Sequence, residues 1–198
     1  MNCIAGRIKG WWNFLKNSYL HRSFDASEVL SLKRVHPDVM RLFEDILRAG
    51  TSLRVRVTGR SMRPFLWGGE TLTIEPLACE AFRTGDLILF RNREGFPVLH
   101  RLIRARRTED GKPSFLTKGD ALRTFDEEVP GSSVLGRVRL IERPLLSGAV
   151  RHIEMDALLS RYANYLTAVL GSIMAQTYSV LAWLARKKDL LDSESAGI

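Results

Sequence analysis

The chain has 198 residues, of which 45% are hydrophobic and 26% are charged, and its formal net charge is +8. This composition is ordinary for a globular protein with one core, and it excludes wholesale disorder and collagen-like repeats. Cys3 and Cys79 are too few for a disulfide framework or a cysteine-rich zinc module. No long block of consecutive basic residues occurs, so we predict no nucleic-acid partner, whereas an anionic membrane surface stays open as a partner.

Residues 1–50 form the first predicted region, which is helical. Its first part carries an aromatic stripe interleaved with lysine and arginine, formed by Trp11, Trp12, Phe14, Leu15, Tyr19 and Leu20. This stripe fits a membrane interface, and it fits equally well a helix that packs on the main domain. The second part predicts a helix from Pro37 to Ala49, because proline suits a first turn and Gly50 suits the stop.

Residues 51–143 form the second region, in which the hydrophobic pattern changes to strict alternation. Leu53, Val55 and Val57 alternate with polar residues, which is typical of a half-buried strand. Further strands are predicted at Thr71–Ile74, Asp86–Phe90, Val98–Ile103, Ser114–Thr117 and Val134–Ile141. Short strands separated by glycine-rich turns predict a mainly β fold: a folded antiparallel sheet or a partly open barrel, with helices flanking it in sequence.

Residues 144–198 form the third region, which is predicted to return to helix from about Leu145. Within it, Tyr165–Ala185 contains no charged residue, and Arg186, Lys187 and Lys188 follow. That length is enough to cross a bilayer core, with the basic cluster on the cytoplasmic side. A buried or oligomer-forming helix explains the segment as well, because it is only moderately apolar.

The four histidines are scattered along the chain and show no metal-ligand spacing. They are His21, His36, His100 and His152. We therefore predict neither a metal site nor a cofactor.

The segment Gly59–Pro64 is the first candidate for chemistry, since it places Ser61 directly after a strand. Gly59 is expected to allow close backbone approach and unusual dihedral angles, and Pro64 is expected to fix the turn. This arrangement would hold the hydroxyl of Ser61 at the lip of a sheet. The alternative is a turn serine that is hydrogen-bonded to its own backbone.

A serine hydroxyl needs a general base, and His100 is the candidate. It lies in an otherwise apolar strand, and imidazole titrates near neutral pH. Asp120 and Asp126 are the candidate carboxylates that would orient it. A structural histidine and a turn aspartate are the alternatives for these positions.

Five segments in this order resemble the signal peptidase I family, in the endoplasmic-reticulum and archaeal branch that uses Ser-His rather than Ser-Lys. The matching segments are Ser61–Pro64, Gly85–Phe90, Val98–Ile103, Thr117–Asp120 with Asp126, and Leu135–Val138. The resemblance covers roughly residues 52–143. Self-cleaving repressor peptidases share this fold but use lysine as the base, so they are the less favoured branch.

The resemblance implies a serine endopeptidase that cleaves signal peptides, leader peptides or a small precursor after small residues. Ser61 would be the nucleophile, His100 the base, and Asp120 or Asp126 the group that orients it. The Ser61 backbone N–H would contribute to an oxyanion hole, and Gly59 and Met62 would lie beside a substrate bound as an added strand. Association with the plasma membrane is expected, and a cytoplasmic location is the alternative.

A non-catalytic module that binds a peptide or a membrane is the rival interpretation of the same fold. It would present a basic rim to an acidic partner, formed by Arg101, Arg104, Arg106 and Arg107.

Overall fold

The computed structural model describes residues 37–195, and it has the mainly β class that the sequence predicts. The elements in chain order are α1 (Pro37–Arg48), β1 (Leu53–Arg56), β2 (Thr71–Glu75), β3 (Leu87–Arg91), β4 (Pro97–Arg107), β5 (Pro113–Lys118), β6 (Val129–Pro130), β7 (Val134–Pro144), β8 (Val150–Glu154) and α2 (Leu158–Ser195). Short 3₁₀ turns at Cys79–Ala81 and Gly131–Ser133 separate some of the strands.

The described strands form one antiparallel sheet in the order β1-β2-β7-β3-β4-β5-β6, with β8 added along β7. Strand β7 therefore has three partners, which are β2, β3 and β8. It joins the half of the sheet built from β1 and β2 to the half built from β3 to β6. Ser61 lies in the connection between β1 and β2, and His100 lies in β4. Strand β7 therefore joins the two halves that carry the candidate site.

Two hydrophobic cores hold this sheet. The larger core lies under α1, which packs against β1 and β7 through Phe43 and Leu47. Each of these side chains is almost fully buried, and such burial stabilises a fold by about 1.5–3 kcal/mol per side chain. The smaller core contains Phe82, Phe115 and Phe90, and Phe82 and Phe115 meet edge to face.

The predicted elements agree closely with the structure from α1 onward, with two exceptions: β6 is not among the predicted strands, and the last helix is predicted to begin too early. The helix predicted from Pro37 to Ala49 is confirmed to within one residue. The return to helix at about Leu145 is wrong, because Val150–Glu154 forms strand β8 before α2 begins. The aromatic stripe predicted within residues 1–36 lies outside the described residues.

Helix α2 contains the uncharged segment 165–185 for which the sequence left a membrane span open. In the part of the chain that the structure describes, no helix combines the length and the apolar character needed for a membrane crossing.

Candidate active site

Ser61 begins the turn that follows β1, and its neighbours anchor that turn in the larger core. Met62 and Leu66 are buried, and the Leu66 N–H donates to the Met62 carbonyl at 2.9 Å. Ser61 itself is only partly buried. The apolar residues that flank it therefore fix the turn while the serine remains at the surface of a cleft.

The hydroxyl and the backbone N–H of this serine are not hydrogen-bonded within residues 37–195. There the Ser61 hydroxyl makes no hydrogen bond, and neither the Ser61 nor the Met62 backbone N–H donates to an acceptor. The Ser61 carbonyl, by contrast, accepts a hydrogen bond from the Ala121 N–H at 2.8 Å. This arrangement differs from a turn serine bonded to its own backbone, and it leaves one hydroxyl and two N–H donors available to a bound molecule.

His100 is buried on β4 and has a carboxylate partner. Its Nδ1 lies 2.6 Å from Asp126 Oδ2, and the Thr117 hydroxyl donates to the same oxygen at 2.7 Å. The Asp126 N–H in turn donates to the Thr117 carbonyl at 2.9 Å. A carboxylate at Nδ1 favours the tautomer that carries its proton there, which leaves Nε2 as an acceptor.

Gly119 is the point where the serine turn and the histidine ring converge. A side chain at this position would place its Cβ atom 2.8 Å from the Ser61 carbonyl oxygen and 3.0 Å from His100 Nε2. Leu122 Cγ would be 2.9 Å away. Only glycine fits, so residue 119 lets the Nε2 side of the imidazole approach the serine turn. The sequence prediction passed over Gly119, although it stands inside the Thr117–Asp120 segment.

Gly59 does not have the conformation that the sequence predicted. Its φ is not positive, and a Cβ atom there would meet nothing within 4 Å. The expected unusual dihedral angles at this glycine are therefore wrong. Gly59 lines the cleft beside Ser61, where it leaves open space.

Asp120 has a different partner from the one proposed for it. Both of its oxygens accept from the guanidinium of Arg101, Nε to Oδ1 at 2.8 Å and Nη2 to Oδ2 at 2.7 Å. Arg101 also donates to the Gly85 carbonyl at 3.0 Å and to Asn164 Oδ1 on α2 at 2.8 Å. Of the two candidate aspartates, Asp126 contacts His100, whereas Asp120 forms an ion pair.

The basic rim suggested by the sequence loses its first member, because Arg101 has 0% of its surface exposed. Its guanidinium lies over the ring of Phe65, 4.7 Å from the centroid, and so also contacts the end of the serine turn. Arg106 and Arg107 are exposed and pair with Glu128 and Glu80. The rim is thus partly neutralised by its own neighbours.

Lys118 is the lysine nearest in sequence to this site, and it faces the opposite side of the sheet from His100. It pairs across the strands with Arg101, and its Nζ donates to the Gly119 carbonyl at 3.1 Å. A Cβ atom at Gly171 of α2 would lie 3.6 Å from this Nζ. Burial lowers the pKa of Lys118, while Asp120 and Asp126 oppose that shift. The geometry gives the cleft a histidine rather than this lysine.

Two cavities of about 370 Å³ each meet at His100. The first, called here the apolar cleft, contains Ser61 and is otherwise lined mainly by hydrophobic side chains: Val55, Val57, Met62, Leu72, Ile74, Leu89, Val98, Leu99 and Leu122. The second, called here the charged cleft, is lined by Arg91, Arg93, Asp126, Glu127 and Glu128 among others.

The borders of the apolar cleft offer backbone groups that no described strand pairs. Strand β1 pairs with β2 alone, and the part of β4 before Arg101 pairs with β3 alone. Within residues 37–195, each therefore has one open edge. Open strand edges are the sites at which an extended peptide can add as a further strand.

Comparison with known proteins finds relatives of part of this chain. No family model matches the chain. Over 76 residues it is 30% identical to the Signal peptidase complex catalytic subunit SEC11C of Homo sapiens, and equally to those of Canis lupus familiaris and Mus musculus. The match covers 38% of this chain and 40% of each relative, so the chain spans less than half the length of the curated relatives it matches. The likeness supports a signal-peptidase-like relationship at the level of the family.

Proposed function

We propose that the protein is a serine endopeptidase of the signal peptidase type, with Ser61 as nucleophile and His100 as general base. The observation that carries this proposal is the short contact between His100 Nδ1 and Asp126 Oδ2, at 2.6 Å. The opposite ring nitrogen and the Ser61 carbonyl lie 3.0 Å and 2.8 Å from the position that a Cβ atom at Gly119 would take. A hydroxyl is a weak nucleophile at neutral pH and requires such a base beside it.

The two ring nitrogens of His100 have different roles in the proposed reaction. His100 Nε2 takes the proton of Ser61 Oγ as the oxygen attacks the scissile carbonyl, and Asp126 stabilises the imidazolium that forms. The unengaged N–H groups of Ser61 and Met62 are the donors for the oxyanion. His100 then gives its proton to the leaving amine. Water next attacks the acyl-enzyme while His100 takes a proton from the water, and His100 returns that proton to Ser61 Oγ as the acyl chain leaves.

The proposed substrate is an extended chain that adds to the open edges beside the apolar cleft. Its backbone would pair with β1 and with the first residues of β4, and its side chains would enter the apolar cleft alternately. The resemblance implies small residues before the cleaved bond and a signal or leader peptide as the source. Beyond His100 the leaving part of the chain would pass into the charged cleft. Association with a membrane belongs to this proposal as well.

The proposal is tested with Ser61→Ala, using a peptide library that carries small residues such as Ala-x-Ala before the bond to be cleaved. The expected result is a loss of kcat/KM of at least about 10³-fold, because the hydroxyl makes the covalent intermediate. Mass spectrometry of the products identifies the cleaved bond, and a serine-directed phosphonate probe is expected to label Ser61.

The matched control is Ser147→Ala, which removes a hydroxyl from an exposed turn between β7 and β8. It is expected to keep wild-type activity. Cleavage by purified Ser61→Ala at the wild-type rate would contradict the proposal, and so would wild-type protein that binds the library peptides but leaves them intact. The second result would favour the non-catalytic binding module.

A further inference from the structure

Helix α2 contacts the sheet through small and polar residues and turns its large apolar residues outward. Among the side chains of this helix that the structure describes, Asn164, Ala168 and Ala175 are buried, and Gly171 passes close to Lys118. The opposite side of the helix is exposed, although it carries leucine, isoleucine, valine and tyrosine. A surface helix normally has the reverse arrangement, with its apolar side against the core.

The outward residues repeat at a regular interval. Leu159, Leu166, Ile173 and Val180 are seven residues apart, and 83%, 39%, 51% and 56% of their respective surfaces are exposed. Three residues after the first three of these stand Tyr162, Val169 and Gln176. These seven positions are called here the α2 seam. Apolar positions at this spacing over three heptads are the pattern of a coiled coil.

We propose that the α2 seam pairs with the α2 seam of a second copy of this chain. The buried residues of α2 lie on the other side of the helix from the seam, so two paired helices would hold their sheets on the outside of the dimer. Nothing in the described structure covers the seam. The proposal does not depend on the peptidase activity.

The residues beside the seam favour an identical partner. Coiled coils select their partners by charges at the positions that flank the seam. Here those positions are uncharged: Leu158, Tyr165, Ser172 and Ser179 on one side, and Ala163, Leu170 and Thr177 on the other. An identical helix therefore meets no like charge, and the flanks hold no charge that would select a different helix.

The seven-residue spacing also favours a helical partner over a lipid surface. A stripe with a strict seven-residue repeat drifts by about 20° per heptad around a straight helix, so it follows a second helix rather than a flat surface. Helices that lie in a membrane interface usually carry lysine or arginine along their polar face. Residues 162–185 contain neither.

The exposed area is of the size that a stable dimer needs. Leu159, Tyr162, Leu166, Ile173 and Val180, with Leu170 beside them, present on the order of 700 Å² per copy, against about 800 Å² per partner in a standard interface. Gln176 is polar, and one polar residue in such a seam commonly fixes the register.

Sedimentation equilibrium of the full-length protein at micromolar concentration tests the proposal. Wild type is expected at twice the chain mass of 22.4 kDa. Ile173→Asp places a charge in the seam and is expected to give the monomer. Met174→Asp is the matched control, since Met174 is exposed on the next position of the helix and lies outside the seam, and this variant is expected to remain a dimer.

Circular dichroism of each variant verifies folding, which is expected because both replaced side chains are exposed. A monomeric wild type overturns the proposal. If the monomer co-sediments with lipid vesicles, the seam binds a membrane; if it does not, another segment of the chain covers the seam. Equal masses for Ile173→Asp and Met174→Asp also overturn it, because the association would then not depend on the seam.

Discussion

Two neighbouring residues of β4, His100 and Arg101, lie on opposite faces of the sheet and differ in how fully their polar groups are hydrogen-bonded. His100 faces the cleft and has one carboxylate partner, Asp126, while Nε2 is left without a hydrogen bond among the described residues. Arg101 faces α2, and its five hydrogen-bond donors meet Asp120, Gly85 and Asn164 in four contacts. On the helix face, four of the five N–H groups of Arg101 are thus hydrogen-bonded, whereas on the cleft face Nε2 of His100 has no bonded partner among the described residues.

This contrast implies that Asp120 and Asp126 have different roles, one in stability and one in the proposed chemistry. A buried guanidinium without its carboxylate is strongly destabilising, so Asp120 serves the fold. A carboxylate that fixes one imidazole tautomer affects the reactivity of the other nitrogen, so Asp126 serves the proposed chemistry as a positioning residue. Exchanging each aspartate for asparagine should therefore separate activity from stability.

The largest expected effect is that of Asp126→Asn on activity. Because Thr117 and His100 Nδ1 both contact Oδ2, the amide presents either its NH₂ or its oxygen to both of them. With the NH₂ there, the imidazole must carry its proton on Nε2, where it cannot accept the serine proton. With the oxygen there, the neutral amide stabilises the imidazolium less than the carboxylate does. We expect kcat/KM on the library peptides to fall by about 10³- to 10⁴-fold, with little change in the free energy of unfolding.

The pH profile of this variant distinguishes positioning from a structural role. The kcat/KM of the variant should stay low at every pH at which wild type is active, while circular dichroism and urea unfolding should match wild type. A loss of activity that only parallels a loss of folded protein would contradict the role given to Asp126.

The second effect, on stability, is that of Asp120→Ala. It leaves the fully buried charge of Arg101 without a counter-ion, which is expected to lower the free energy of unfolding by about 3–5 kcal/mol. Urea unfolding measures this loss. The activity per folded molecule should stay within about tenfold of wild type, since Asp120 does not contact His100.

The matched control for this loss is Glu127→Ala, which breaks an ion pair with Arg93 between two exposed side chains. Such pairs contribute about 0–1 kcal/mol. Equal losses of stability in Asp120→Ala and Glu127→Ala would contradict the contrast between the two faces.

The smallest expected effect concerns Lys118, which lies on the helix face beside Arg101. Burial lowers the pKa of this lysine below its usual 10.5. Between the folded and unfolded pKa values the unfolded chain binds more protons, so the free energy of unfolding rises with pH in that window. Lys118→Met should lack this rise, as followed by urea unfolding from neutral pH towards the ordinary lysine pKa.

Lys112→Met provides the comparison for this measurement, because Lys112 is exposed on the turn between β4 and β5. It should keep the pH dependence of wild type. A wild-type curve that coincides with that of Lys118→Met at every pH would show that the lysine is not held in a desolvated state.

The sequence predicts the sheet well where burial imposes alternation. Strand β1 alternates buried and exposed residues along its whole length, so its period is visible in the sequence. Strand β8 was missed because almost all of its side chains are exposed, and burial therefore selects no pattern in Val150–Glu154. That strand is held by backbone pairing with β7, which a pattern of side chains does not record.

The candidate site is predicted only as far as residue types allow. A histidine in an apolar strand and a serine after a strand are visible in the sequence, but the choice between Asp120 and Asp126 depends on register. Because Arg101 lies opposite Lys118, Asp120 falls on the face of Arg101. The loop that follows returns Asp126 to Thr117 and so to His100. Gly119 and Gly59 look alike in sequence, and only the folded contacts distinguish them.

Strand β7 joins the two halves of the sheet and stands late in the sequence, which affects when the site can be completed during synthesis of the chain. The turn with Ser61 and the strand with His100 are both made before residues 134–144, yet in the sheet only β7 joins their two halves. Pairings this distant in sequence form late, because the intervening loop must close before the contacts stabilise it. In a growing chain, the two halves that carry Ser61 and His100 are therefore expected to lack their shared strand until residues 134–144 have been made. Under the proposed function, an incomplete chain would not yet cleave the peptides around it.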